Sequence, residues 1–179
     1  MIHSNKKNKG FSLIEIILIL GIIVGLTISA FMIYNKVQST KNAANEARKI
    51  TLIQATARSL YKSQPNYNAL YTTVLTNSDF LPSDMISQKN GLIVNGFKGY
   101  TTVIAEAING TVDTGFMIST DYIPSTECIK IISMIGANFY TVRVNSNNYV
   151  KNKNTPLDLN ETVVQCTKSE TNSIQFDSD

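Results

Sequence analysis

One carboxylate lies inside a long apolar segment near the start of the chain. From Phe11 to Tyr34 the sequence has 24 residues, and Glu15 is the only charged one among them. An unpaired carboxylate inside a membrane costs about 2.5–3.5 kcal/mol, so it needs a positively charged partner. We therefore predict that Glu15 is a functional group that pairs with a cation supplied from elsewhere.

Few other residues have the types and spacing for chemistry. Cys128 and Cys166 are the only cysteines, and His3 is the only histidine. In an exported protein an even pair of cysteines predicts a disulfide, and the alternative is two buried free thiols. Two thiolates are too few for a structural zinc site. Asp113 and Asp121 have no partner in the sequence and are expected to be solvated, so we predict no catalytic site, metal or cofactor.

The residues before the apolar segment predict its orientation in a membrane. Lys6, Lys7 and Lys9 precede it and favour a cytoplasmic N-terminus. A segment of about 20 apolar residues is long enough to span a bilayer, so the rest of the chain is expected outside the cytoplasm. A secretory signal peptide cleaved after Ala30 is disfavoured, since Ile28 is bulky and the apolar segment is too long. A plain single-pass anchor leaves Glu15 unexplained.

The charge balance argues against nucleic acid as a partner. The 16 basic residues include the three lysines of residues 1–10, so the remaining chain has as many basic as acidic residues, 13 of each. Binding to phosphates requires a clustered basic surface. No nucleic-acid partner is therefore expected.

Two glycines within the apolar segment have helix-packing spacing. Gly21 and Gly25 form a G-x-x-x-G pattern, which lets two membrane helices approach closely. The alternatives are that glycine is simply common in membrane helices, or that the glycines let the helix bend. Thr27 and Ser29 could then bond the freed carbonyls.

A single long helix is predicted to position these groups. No proline occurs between the apolar segment and Pro65, so the helix is expected from about Ser12 to Ser63. Its second half is amphipathic, with one apolar stripe and one charged face. The stripe contains Val37, Ala44, Ala47, Ile50, Ile53, Ala57 and Leu60, and the charged residues are Lys36, Lys41, Glu46, Arg48, Lys49 and Arg58.

The remainder of the chain alternates strand and helix signals. Residues 67–98 predict a loop with a short helix near Asn68–Thr76, and Pro124 begins a short helix that ends at Gly136. Asn109 and Gly110 predict a hairpin turn. Runs rich in β-branched and aromatic residues predict strands at Tyr100–Ala107, Phe116–Ile123, Asn138–Val144, Thr162–Cys166 and Ile174–Phe176.

The N-terminal residues together resemble the processing site of type IV prepilins. A basic leader ends in Gly10, the hydrophobic Phe11 follows, and Glu15 lies four residues further on. The resemblance implies that a prepilin peptidase in the inner membrane cuts after Gly10 and N-methylates Phe11. It also implies that Glu15 drives assembly of subunits into a helical filament, and that Cys128 and Cys166 form the C-terminal disulfide of the family.

The resemblance also implies an architecture. The fold class is α+β, with a long N-terminal helix, its hydrophobic half protruding, packed on an antiparallel β-sheet head. The expected parts are a leader, a membrane and filament-core half of the helix, an amphipathic half, and a globular head, at residues 1–10, 11–34, 35–63 and 64–179.

The implied function is that of a major structural subunit of a type IV pilus. The subunit would lie in the inner membrane of a Gram-negative bacterium and then in an extracellular filament. Its partners would be further copies, the peptidase, the pilus assembly machinery and, as an optional partner, the host cell surface. The alternatives are a minor pilin, a type II secretion pseudopilin or, less favoured, a membrane-anchored enzyme.

The subclass is predicted from the centre of the chain. Residues 116–119 and 123–128 resemble the type IVb branch, in which a strand leads into the helix that carries the first disulfide cysteine. The ten-residue leader and the first mature residue, Phe11, are more typical of type IVa. The proline often found in the long helix of these proteins is missing.

Overall fold

A computed structural model of the chain describes residues 12–77, 79–108, 110–146 and 148–179. Its residues form two units, Met1–Gln38 and Ser39–Asp179, which are described separately below. The predicted leader, including Gly10, and Phe11 lie outside the described residues.

The described part of the first unit is helical. Helix α1 begins at Leu13 and continues to Tyr61. The large apolar side chains from Leu13 to Val37 are all at least 45% exposed. Within the described ranges, α1 is a helix long and apolar enough to cross a membrane. The predicted helix from about Ser12 to Ser63 is thus confirmed to within two residues at its C-terminal end.

The second unit is built on an antiparallel sheet of six strands. The strands lie in the order β1-β2-β3-β6-β4-β5, so β6, the last strand in the sequence, lies between β3 and β4. This agrees with the predicted α+β class. The strands are β1 (Ile93–Val94), β2 (Tyr100–Ile108), β3 (Thr111–Pro124), β4 (Thr141–Val144), β5 (Asn148–Lys151) and β6 (Thr171–Ser178).

The core lies between one face of this sheet and the second half of α1. Alternate residues of β3, such as Phe116 and Ile118, are fully buried, as expected for a strand with one covered face. From α1 the core receives Ala47, Ile50 and Ile53. These helix residues belong to the apolar stripe predicted from the sequence.

Three shorter helices complete the second unit. They are α2 (Thr72–Thr76), α3 (Ser125–Ile135) and α4 (Leu159–Thr167). Helix α3 follows Pro124 and ends at Gly136, as predicted. The β2–β3 hairpin joins Ile108 and Thr111 as a pair, and Asn109 of the predicted turn lies outside the described residues.

The prediction of a strand at Thr162–Cys166 is wrong, because these residues lie in α4. The carboxylate of Asp158 accepts a hydrogen bond from the Glu161 N–H at 2.9 Å and caps the first turn of this helix. Thr162, Val163 and Val164 favour strands, but this cap and the burial of Thr162 and Cys166 override that local preference.

Candidate functional site

Glu15 lies in the first turn of α1. Its Oε2 accepts a hydrogen bond from the Ser12 N–H at 2.9 Å, and the Ile16 N–H donates to the Ser12 carbonyl at 3.2 Å. A carboxylate at this position is stabilised by the helix dipole and by an otherwise free backbone donor. The Glu15 Oε1 accepts no hydrogen bond from the residues that the structure describes.

Gly21 and Gly25 do not interrupt α1. A Cβ atom added at either glycine would meet no atom within 4 Å, so both positions present open backbone to a partner. The Thr27 hydroxyl donates to the Ile23 carbonyl at 2.7 Å, and the Ser29 hydroxyl donates to the Gly25 carbonyl at 2.9 Å. These hydroxyls therefore bond to carbonyls within a continuous helix rather than at a break.

Cys128 of α3 and Cys166 of α4 are joined by a disulfide. Both residues are fully buried, and their Cα atoms are 5.9 Å apart. The bond ties together two helices that also pack against each other. Since both thiols are consumed, neither can act as a nucleophile or metal ligand. Among the described residues, no group of three or more His, Cys, Asp or Glu side chains could hold a metal.

Sequence reasoning placed Glu46 on the charged face of α1, but the structure buries it. The residue is 2% exposed, and its Oε2 accepts a hydrogen bond from the Gly96 N–H at 2.8 Å. Burial raises the pKa of this carboxyl group, while the Gly96 hydrogen bond and the charge of Lys49 oppose the shift. The covering residue lies 50 positions further along the chain, so no local pattern signalled the burial.

A buried ion pair was also missed. Arg143 of β4 and Asp177 of β6 lie 2.8 Å apart between Nη2 and Oδ1, with side chains only 14% and 9% exposed. The Thr141 hydroxyl donates to the other carboxylate oxygen. Alternation along β4 signalled that Val142 and Val144 face the core, but not that Arg143 would be covered. The pair links the neighbouring strands β4 and β6 and has a structural role.

Asp121 is less solvated than the sequence analysis expected. Its Oδ1 accepts a hydrogen bond from the Tyr100 N–H at 2.6 Å. A Cβ added at Gly99 would lie 2.4 Å from that same oxygen. The close approach requires glycine at position 99, and the hydrogen bond ties Asp121 of β3 to the start of β2.

The chain matches one protein-family model over most of its length. A family model described as PilS N terminal matches residues 40–179. The chain belongs to the PilS family. Relatives of this PilS chain include the major structural subunit of bundle-forming pilus from Escherichia coli O111:H- and from strain E2348/69 of serotype O127:H6. Each is 24% identical over 152 residues, which cover 83% of this chain and 78% of the relative.

Two solved structures show the fold. The type IV pilin TcpA from the El Tor biotype of Vibrio cholerae matches with a TM-score of 0.59 and 15% identity, over 78% of this chain and 99% of that chain. A type IVb pilin from Salmonella typhi matches with a TM-score of 0.58 and 18% identity, over 76% and 99%. The PilS chain therefore has the type IV pilin fold.

Proposed function

We propose that this PilS-family chain is the major structural subunit of a type IVb-like pilus, with no catalytic role. The observation that carries the proposal is the first half of α1. Its apolar side chains are exposed, it holds one carboxylate, and it belongs to a chain whose head has the type IV pilin fold. The curated relatives are major structural subunits of a pilus and match most of the chain. Exposed apolar surface of this extent requires a membrane or further copies to cover it.

In the proposed maturation, the subunit is first a membrane-bound prepilin and then part of a filament. The prepilin lies in the inner membrane of a Gram-negative bacterium with Lys6, Lys7 and Lys9 in the cytoplasm. A prepilin peptidase cuts between Gly10 and Phe11 and N-methylates the new terminus, after which the assembly machinery moves the subunit into an extracellular filament. The sequence supports this order of events, because a basic segment that favours the cytoplasm directly precedes the apolar helix.

In this proposal, Glu15 sets the register between neighbouring subunits in the filament. Cleavage leaves a positively charged amine on Phe11, and the Glu15 carboxylate attracts the amine of the next subunit. Both groups are removed from water in the filament core, where an unpaired charge is costly and pairing offsets much of that cost. Apolar helices adhere without a defined register, whereas one charge pair defines it. The Ser12 N–H occupies one oxygen of Glu15 and leaves the other for the incoming amine.

The test is Glu15→Ala in cells that contain the pilus machinery. The variant should keep normal pilin levels, cleavage at Gly10 and a folded head, because none of these needs the carboxylate. Filaments counted by electron microscopy should be lost or sharply reduced, and Glu15→Gln should not restore them fully because the amide lacks the charge. Normal piliation by Glu15→Ala cells would refute the assembly mechanism.

Mass spectrometry of surface protein tests the maturation step. The mature chain should begin at N-methylated Phe11, and Gly10→Val should block cleavage while leaving the prepilin in the membrane. A surface protein that begins at Met1 or at Phe31 would contradict the proposal.

A further inference from the structure

Three asparagines of the chain directly precede a glycine. They are Asn90, Asn95 and Asn109, and Asn109 lies outside the described residues. An asparagine in this position can lose its side-chain amide spontaneously. The following backbone nitrogen attacks the side-chain carbonyl carbon, and glycine has no Cβ to hinder that approach. The surroundings of Asn90 and Asn95 decide which of the two can react in the folded head.

Asn95 is protected at both ends of the reaction. Its Nδ2, the group that would leave, donates to the Asp121 carbonyl at 2.6 Å and to the Thr120 hydroxyl at 3.1 Å. The attacking group, the Gly96 N–H, donates to the buried Glu46 carboxylate at 2.8 Å. Asn95 itself is only 6% exposed. Attack would require the loss of all these bonds within the buried part of the head, so the reaction is suppressed.

Asn90 lies in an exposed turn before β1, and only local bonds hold this turn. It spans residues 87–92, where the Ser87 N–H donates to the Leu92 carbonyl and the Gly91 N–H donates to the Ser87 carbonyl, both at 2.8 Å. The Asn90 side chain is exposed, and its Nδ2 donates no hydrogen bond to the residues that the structure describes. Opening of an exposed turn costs far less free energy than opening of the core, and it releases the attacking Gly91 nitrogen.

One contact in this turn also favours the reaction. The Leu92 N–H donates to the Asn90 Oδ1 at 3.2 Å. This oxygen gains negative charge when the Gly91 nitrogen attacks, and a donor aimed at developing charge stabilises the transition state. Asn95 shares this feature, because its Oδ1 accepts from the Gly99 N–H at 2.8 Å. The two asparagines therefore differ in the attacking nitrogen and in the leaving amide.

We propose that Asn90 is a self-modification site of the folded head, whereas Asn95 is not. The Gly91 nitrogen loses its proton and bonds to the Asn90 Cγ, the Cγ–Nδ2 bond breaks, and Nδ2 leaves as ammonia with that proton. Water then opens the succinimide ring at either carbonyl carbon and gives aspartate or isoaspartate. The reaction consumes one water for each ammonia released, and it needs no oxidant or enzyme.

The modification adds charge to a subunit that has no net charge. In the proposed mature pilin, residues 11–179 contain 13 basic and 13 acidic residues, so conversion of Asn90 gives each subunit one net negative charge. The charge would distinguish old subunits from new ones. The chemistry needs only the folded head and goes beyond the proposed function, since only this charge balance rests on cleavage after Gly10.

Peptide mapping by mass spectrometry tests the site. The purified full chain is incubated in detergent at mildly alkaline pH, in water enriched in heavy oxygen. The peptide with Asn90 should lose ammonia and take up one heavy oxygen at least about tenfold faster than the peptide with Asn95. Asn154 is exposed but precedes Thr155, and it should stay unchanged over the same period. In urea, Asn90 and Asn95 should convert at similar rates, because the contacts that separate them are lost.

Two variants identify the reacting side chain. Asn90→Gln keeps an amide but lengthens the side chain by one carbon, which disfavours ring closure, so ammonia loss at this position should stop. Asn154→Gln is the matched control, and Asn90 should convert in it as in wild type. Both replaced side chains are exposed, so the thermal midpoint should stay within about 2 °C of wild type.

The outcomes separate this inference from the proposed function. An unchanged Asn90 in the folded chain after the urea sample has converted, or equal rates at Asn90 and Asn95 in the folded chain, would overturn the proposal while leaving the pilus function intact. If cells with the complete machinery make no filaments from this chain, the proposed function fails, and the chemistry at Asn90 is unaffected.

Discussion

Removal of the Cys128–Cys166 disulfide would measure how much the covalent bond stabilises the head. The perturbation is Cys128→Ala together with Cys166→Ala. Both residues are fully buried, so serine would add a hydroxyl group without an evident partner to the core. The two cysteines are 38 residues apart in the sequence, and a loop of that length corresponds to about 4 kcal/mol in the chain-entropy model. Domains of this size are stable by about 5–15 kcal/mol, so the variant should fold but with a much smaller margin.

The assay is chemical denaturation of the purified full chain in detergent, followed by tyrosine fluorescence. The free energy of unfolding should fall by about 4 kcal/mol, and wild-type protein under reducing conditions should show a similar loss. Hydrogen exchange gives the location: amides of α3, β5 and α4, inside or beside the closed loop, should lose more protection than those of β2 and β3. The latter strands pair along most of their length and do not depend on the bond.

Two results would refute this reasoning. A loss below about 1 kcal/mol would mean that restriction of the unfolded chain is not the main contribution of the bond. An equal loss of protection in β2 and α4 would mean that the head unfolds as one unit, so that the bond does not specifically stabilise the segment it encloses.

Two further predictions concern buried charges in the head. Glu46→Gln should stabilise the folded head at neutral pH, because burial raises the pKa of the carboxyl group and penalises its charged form. The advantage over wild type should be smallest below the unfolded pKa and grow as pH rises through the raised folded value; a pH-independent difference in unfolding free energy would contradict this. Arg143→Met should cost about 3–5 kcal/mol by leaving Asp177 buried without its cation, whereas Arg143→Met with Asp177→Asn should recover most of the loss. A double-mutant cycle of unfolding free energies with no coupling between the two positions would show that the pair does not act as a unit.

The parts of the fold that follow local patterns were predicted well. The long helix has no internal proline, and Ala47, Ile50, Ile53 and Ala57 of its stripe are buried. Val37, also assigned to the stripe, is 60% exposed. The stripe therefore begins later than the periodicity indicated, because the periodicity shows which face can be covered but not where the cover begins.

The errors lie where contacts distant in sequence override local preference. Residues 162–166 have strand propensity but form a helix capped by Asp158. The strand Asn148–Lys151 was missed, since its two ends are polar and its four residues show too little alternation. Glu46 was assigned to a solvated face because the loop at Gly96 that covers it is remote in the sequence.

The features of the candidate site also differ in whether the sequence could reveal them. Glu15 could be identified from the sequence, because a single carboxylate in an apolar segment stands out against its neighbours. Cys128 and Cys166 could be paired because they are the only two cysteines. The apolar groove lined by Leu52 and Met134 could not be found from the sequence, since its two sides, on α1 and α3, are far apart along the chain.

The central position of β6 has a consequence for the order in which the head can be made. Among the strands that the structure describes, β1, β2 and β3 do not pair with β4 or β5, and only β6 joins the two groups. A ribosome and a translocation channel must therefore deliver residues 171–178 before the two partial sheets can unite. Until then β3 and β4 each present an open edge that can pair with a foreign strand.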